Sequence, residues 1–145
     1  MSDTNSSKRL LFITLLVVIL ASFIASMIQS SAGRVSVRDI KIPTQNGQWV
    51  VADLYKPASA TQGNPAPMVV VIPGFQRSKE ALANVAIELS RRGIVVILID
   101  PYAQGFSSAS MSRRAATTEG YGMFAVVDYA ATSENLNYID KSRIG

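Results

Sequence analysis

Chemistry in this chain must be built without histidine or cysteine. The 145 residues contain neither. That removes the commonest general base and the commonest zinc ligand at once. It also excludes disulfides and leaves the redox compartment open. The first segment to weigh is Gly105-Phe106-Ser107-Ser108-Ala109. It imitates the sharp bend that presents a nucleophilic serine, but such a bend joins a strand directly to a helix. Here Pro101 to Gln104 intervene, and no helix is expected before about Thr117, so Ser107 reads as a loop residue. Asp100 reads as a strand-end residue bonding loop backbone rather than as a catalytic acid. Arg77, Arg113 and Arg114 fall near the carboxyl edge of a predicted sheet, where ligands bind; surface charge is the simpler reading. Asp128 and Arg143 are expected to pair across a helix and a strand, structurally. The net charge of +4 is dispersed. No basic run with interleaved aromatics and no phosphate-cradling GxxxxGK[ST] loop is present, which argues against nucleic-acid or nucleotide binding. No cofactor or metal is expected.

The elements that must position these residues centre on Met68 to Gly93. Met68 to Ile72 is an unbroken apolar, β-branched run, the pattern of a strand covered on both faces. Pro73-Gly74 stops it. Ser78 is a good helix N-cap, and Glu80 lies in the first turn, where the helix dipole favours negative charge. Leu82, Val85, Ala86 and Leu89 follow at helical spacing and predict one inner face. Arg91 and Arg92 suit the last turn and Gly93 the residue beyond it. Ile94 to Asp100 then predicts a second buried strand. The result is a βαβ unit with two parallel strands and a right-handed crossover.

Upstream, Val35 to Ile42 and Trp49 to Tyr55 flank Gln45-Asn46-Gly47-Gln48, whose Asn-Gly is a strong hairpin signal. Val35, Val37, Ile40 and Ile42 are expected to face inward, with one break in phase. Pro57 to Pro67 reads as a surface loop. Downstream, Pro101 to Ser112 is a Gly/Ser loop. Thr117 or Thr118 is expected to cap a helix with Tyr121, Phe124, Val127 and Ala131 inward, weakened at its start by Gly120 and Gly122 and ending near Glu134. Asn135 to Ser142 reads as a turn region, and Arg143-Ile144-Gly145 as the first residues of a further strand.

At the N-terminus a polar tail, residues 1–9, ends in Lys8-Arg9. Leu10 to Ile28 is then uncharged, with only Thr14, Ser22 and Ser26 polar. A helix of that length is about 28 Å long, close to the hydrocarbon thickness of a bilayer. Its hydroxyls are tolerated because they can bond back to their own helix. The run is longer than a signal-peptide core, so an uncleaved anchor is preferred over a cleaved signal with Ser30-Ser31-Ala32 as its cleavage region. The uncharged flank Gln29 to Gly33 favours an extracytoplasmic domain, although Arg34, Arg38 and Lys41 follow soon after. Residues 29–34 form a linker, and 35–145 the folded part.

Taken in order, these features resemble the N-terminal half of an α/β-hydrolase. They are a hairpin, a βαβ unit with Pro73-Gly74-Phe75 in its loop, Asp100 with Gly105-Phe106-Ser107, a helix, and Asp140-Lys-Ser-Arg143-Ile-Gly. The resemblance covers residues 35–145 and is nearest the dienelactone hydrolase, prolyl-oligopeptidase and polyester-hydrolase branches. The Pro-Gly-aromatic form after the third strand occurs in cutinase-like polyester hydrolases. In the Asp-x-x-Gly-x-Gly-x-Ser pattern, Ala103 stands where Gly is usual and Gln104 where His is frequent.

The resemblance implies a truncated α/β fold, the first strands 1-2-4-3 with two helices. It implies serine hydrolysis of an ester or amide, in which a Ser, a His, an acid and two backbone N–H donors cooperate. Of those parts this chain supplies one, the Phe75 N–H as an oxyanion donor, with Gly74, Phe75 and Gln76 near the substrate. One such donor is worth about 3 kcal/mol. The nucleophile, acid and histidine are expected in a continuation beyond Gly145, and these 145 residues alone are expected to be inactive on model esters. Met68 to Ile72 is expected to be a bare apolar edge, making the chain poorly soluble. The alternative is a non-catalytic, membrane-anchored α/β domain that binds a ligand or partner.

Overall fold

A long isolated helix, α1 (Asp3–Gln29), leads into a five-stranded mixed sheet. The computed structural model describes residues 3–29, 31–44, 47–108 and 118–145. Asn46, Arg113, Arg114 and Thr117 lie outside the described residues, as does Ser30.

The helix begins at Asp3, seven residues before the apolar run. Asn5–Ile28 is long and apolar enough to cross a membrane, and none of it is buried against the domain. Thr14 and Ser22 donate their hydroxyls to the carbonyls of Leu10 and Val18, 2.9 and 2.8 Å away. The polar groups on the apolar surface are thereby satisfied within the helix, as expected.

The sheet contains β1 (Val35–Pro43), β2 (Trp49–Pro57), β3 (Ala66–Val71), β4 (Val95–Ile99) and β5 (Ile139–Ile144), in spatial order 1-2-4-3-5. The β1–β2 hairpin forms as the sequence predicts, with Thr44 N–H donating to the Gln48 carbonyl across its loop. β3 and β4 are parallel, and β2 runs antiparallel to β4. All five residues of β4 are fully buried, which explains their unbroken apolar character. β3 is not a bare edge. β5 pairs with it in parallel, through a register irregularity near Ala66 and Met68, and takes up the hydrogen bonds that would otherwise face solvent. The expectation of an exposed Met68–Ile72 edge is thus corrected. The strand starts at Ile139, four residues earlier than the apolar signal at Arg143-Ile144 suggested.

Two helices cover the sheet. A 3-10 turn over Lys79–Leu82 precedes α2 (Ala83–Arg91), and Ser78 makes no capping bond. The tighter turn rotates the helical face. Of the predicted face, Leu82, Ala86 and Leu89 pack against the sheet with Ala83 and Ile87 beside them, Ser90 is buried as well, and only Val85 is exposed. Gly93 adopts φ +87° just beyond the helix, the conformation its position predicted. On the other side, α3 (Met123–Thr132) buries Val126 and Ala130, whereas Phe124 is exposed. The described helix α3 starts after Gly122, and the proposed cap Thr117 lies outside the described residues. Gly120, Tyr121 and Gly122 all have positive φ, and a Cβ on Gly122 would collide with Val50. This glycine serves close packing rather than weakening a helix.

The phase break in β1 has a physical cause. Val35 joins the cluster under α2 with Tyr55, Val96 and Leu98. Ile40 and Ile42 join the larger cluster under α3 with Val50, Ala52 and Ile97. The strand feeds both faces of the sheet, and Val37 is left exposed. Arg143 pairs with Asp140, 2.5 Å away, not with Asp128. The two lie three residues apart on one tight segment, so the pair forms without a long-range contact. Finally, α1 ends against the far end of α2. Arg91 donates to Ser31 Oγ at 3.0 Å and to the Ile28 carbonyl at 3.4 Å.

Candidate functional site

The loops that follow β3 and β4 meet at the carboxyl edge of the two parallel strands, the edge where open α/β sheets bind ligands. Pro73 is buried, and Gly74, Phe75 and Gln76 emerge into solvent, with Phe75 74% exposed. Arg77 N–H donates to the Gly74 carbonyl at 3.2 Å and closes a four-residue turn. Gln76, third in that turn, has φ +59°. A non-glycine residue there costs about 1 kcal/mol and must be held by its surroundings. Part of the holding comes from Gln104, whose Oε1 accepts from Arg77 N–H at 2.8 Å. Gln104 departs from the resembled motif, and here it ties the two loops together. Among the described residues no group accepts from the Phe75 N–H.

Asp100 anchors both loops. It is fully buried. Its Oδ1 accepts from Lys79 N–H at 2.7 Å, at the end of the first loop, and its Oδ2 accepts from Phe106 N–H at 3.0 Å, in the second. This is the backbone-bonding role the sequence suggested. Gly105 has φ +52°, and a Cβ there would collide with the Asp100 carboxylate. Both the turn and the close approach therefore require glycine.

Ser107 is fully engaged. Its Oγ accepts from Val51 N–H at 2.8 Å and donates to the Asp100 carbonyl at 2.6 Å. Ser108 Oγ accepts from Trp49 N–H and donates to the Trp49 carbonyl, 2.9 and 3.0 Å away. These serines stitch the β4 loop to the start of β2. That matches the loop reading of Ser107.

Sequence reasoning missed one cluster. Lys79 is buried, and its Nζ lies 2.8 Å from Asp53, 3.5 Å from Asp39 and 3.5 Å from Glu80. Asp39 and Asp53 stand directly opposite each other on β1 and β2, a placement that is unfavourable for like charges alone. Burial pulls the Lys79 ammonium down, but the Asp53 hydrogen bond and the three carboxylate charges outweigh it and raise its pKa. Burial raises Asp53, outweighing the ammonium beside it. The hydrogen bond with Asp53, then the Lys79 charge, lowers Asp39. These groups are separated by 26 and 40 residues in sequence, so no local spacing signals them. The cluster fixes the start of the α2 segment to the hairpin, and so fixes the far end of the Phe75 loop. Among the described residues no group of Asp and Glu is placed to hold a metal ion.

The arrangement therefore offers, on an exposed turn braced on both sides, the Gly74, Phe75 and Gln76 N–H groups with no acceptor among the described residues, next to the exposed Phe75 ring. Arg77 is exposed beside it, as a surface charge would be. No protein-family model matches the chain, and no curated protein matches it either. Solved structures do. A hypothetical protein from Pseudomonas aeruginosa aligns at 26% identity and a TM-score of 0.64, covering 77% of this chain and 34% of that one. An α/β hydrolase from a Penicillium species aligns at 18% identity and a TM-score of 0.61, covering 75% and 36%. A bacterial heroin esterase aligns at 20% identity and a TM-score of 0.61, covering 86% and 39%. The chain thus spans between a third and two-fifths of the length of these neighbours. Strand order 1-2-4-3-5, the parallel β4–β3–β5 core and these neighbours agree: behind its apolar helix the chain carries a partial α/β-hydrolase fold.

Proposed function

We propose that these residues are the opening part of a membrane-anchored serine hydrolase acting on an ester or amide, related to the dienelactone hydrolase and prolyl-oligopeptidase branch. α1 is the anchor, and the domain lies outside the cytoplasm. Phe75 N–H is one oxyanion donor, with Gly74, Phe75 and Gln76 beside the substrate. The observation that carries this reading is the Phe75 N–H itself. It has no acceptor among the described residues, at the carboxyl edge of β3, on a turn braced by Gln104 and Asp100. A donor fixed before charge develops is what acyl transfer needs. The neighbours that share the fold include esterases, which supports the reaction class. The nucleophile, acid and histidine are proposed to follow β5, the strand that leads to Gly-x-Ser-x-Gly in this fold.

The test uses the whole gene product in membranes. A fluorophosphonate probe should label a band that disappears when the serine following Gly145 in that motif is changed to alanine. A folded, membrane-embedded protein that carries no such serine and takes no label would favour the non-catalytic, ligand-binding alternative.

A further inference from the structure

We infer that the cavity where α1 meets the domain binds the phosphate head of an anionic phospholipid. The cavity holds about 240 Å³ and is lined by Ser31, Arg34, Pro57, Ser59, Ser90 and Arg91, with Ala58 between them. It lies at the opposite end of the sheet from the Phe75 loop. The inference rests on the proposed membrane insertion of α1 and is independent of the hydrolase reading.

Four observations converge on this ligand. First, the charge is positive and partly unclaimed. Arg34 makes no side-chain hydrogen bond or ion pair among the described residues, although its backbone is fixed by Ser31 and Ala58. Glu88, near the cavity, is shared between Arg91 and Arg92, each 3.3 Å away, so one carboxylate offsets two guanidinium groups. Second, the donor set suits a phosphodiester. Guanidinium forks match phosphate oxygens in pairs, and the Ser59 hydroxyl, which has no partner among the described residues, adds a donor.

Third, the place is right for a lipid. The apolar span ends at Ile28, three residues before Ser31. Ser31 and Ala32 N–H bond back to the Ile28 and Met27 carbonyls, so the cavity opens beside the end of the span, where a headgroup layer about 5–8 Å deep begins. Fourth, the site is shaped in advance. Arg91 is held by its bonds to Ser31 and the Ile28 carbonyl, and Ser31, Ala32 and Gly33 form a left-handed turn that folds the linker against α2. The volume falls below the roughly 300 Å³ at the small end of drug-sized pockets, so a headgroup fits and acyl chains stay outside in the bilayer.

The test is native mass spectrometry of the full chain released from nanodiscs of phosphatidylcholine doped with phosphatidylglycerol. One phosphatidylglycerol per chain should be retained, in preference to phosphatidylcholine. A basic residue near the membrane surface adds about fivefold to anionic-lipid affinity, so Arg34→Gln should lower retention about fivefold and R34Q/R91Q about 25-fold. Arg34 makes no side-chain bond, so its replacement leaves the fold intact. Arg92→Gln, just beyond the end of α2 and outside the cavity, should change retention less than twofold. Equal retention of both lipids would overturn the site, as would an Arg92→Gln loss matching that of Arg34→Gln, which would indicate diffuse charge. Displacement of the lipid by glycerol 1-phosphate at matching affinity would show a site for a soluble anion and overturn the lipid assignment. A chain that enters nanodiscs but retains no lipid loses the site and keeps the anchor. A chain that does not enter them loses both.

Discussion

The loops after β3 and β4 leave the same edge of the same sheet, yet they are built on opposite rules. The β4 loop spends its polar groups on itself and on β2. Asp100, Ser107 and Ser108 form bonds at nearly every available atom, and Gly105 admits a carboxylate where a Cβ would not fit. The β3 loop is bound at its base and bare at its tip. Its end residues bond Gln104 and Asp100, while the Phe75 N–H has no partner among the described residues. A turn that must present a donor to a ligand cannot also satisfy that donor. Rigidity then has to come from a neighbour, and the β4 loop is that neighbour.

The contrast can be broken by single substitutions, measured by denaturant unfolding of the full chain in detergent micelles. The largest effect should come from Asp100→Ala. It strands the buried Lys79 N–H and the part-buried Phe106 N–H, both bonded to the Asp100 carboxylate, and should cost about 3 kcal/mol. Lys79→Met should follow at about 2 kcal/mol, because it leaves Asp39 facing the partly buried Asp53 with no counter-charge from Lys79.

The Lys79 effect has a defined pH window. Its pKa is raised, so its contribution is complete below the ordinary 10.5 and is lost as pH climbs through the raised value. Asp39 is lowered, so its contribution is present above 3.8 and is lost as pH falls through its depressed folded value. The advantage of wild type over Lys79→Met should therefore be lost as pH climbs through the raised Lys79 value, and should shrink in acid first as Asp53, whose pKa is raised, takes up its proton and then as Asp39 does.

Gly105→Ala should cost about 2 kcal/mol, from a left-handed backbone plus the displaced carboxylate. Gly74→Ala sharpens the comparison from the other side. Open space surrounds Gly74 and its φ is not left-handed, so the change should cost under about 0.5 kcal/mol. A Gly74→Ala loss equal to that of Gly105→Ala would mean that the first loop is packed like the second.

What the sequence disclosed follows the range of the interactions. The βαβ unit was readable because β3, β4 and Gly93 declare themselves within a few residues, through apolar runs and a helix stop. So was the hairpin. Asp100 and Ser107 were legible as loop residues because their position after a strand, without a helix to follow, is itself local information. The inner faces of the helices were less legible. A 3-10 turn before α2 turned Val85 outward, and left-handed residues before α3 left Phe124 exposed. The Lys79 cluster was invisible, since it exists only once β1 and β2 bring two aspartates together opposite a residue from a later turn. The Gln104 brace was visible only as a departure from a motif, and its partner, a backbone N–H, leaves no trace in residue types.

The left-handed bend Ser31-Ala32-Gly33 sets a direction as well as a joint. It lays the start of β1 and the end of α2 beside the base of α1, so the parallel strands run away from that base. Six residues of β3 carry the chain about 20 Å further before the Phe75 turn is reached. On the proposed seating of α1 in lipid, that turn would look outward to the aqueous phase. Molecules would then reach it by diffusion through water, not by sliding along the bilayer plane.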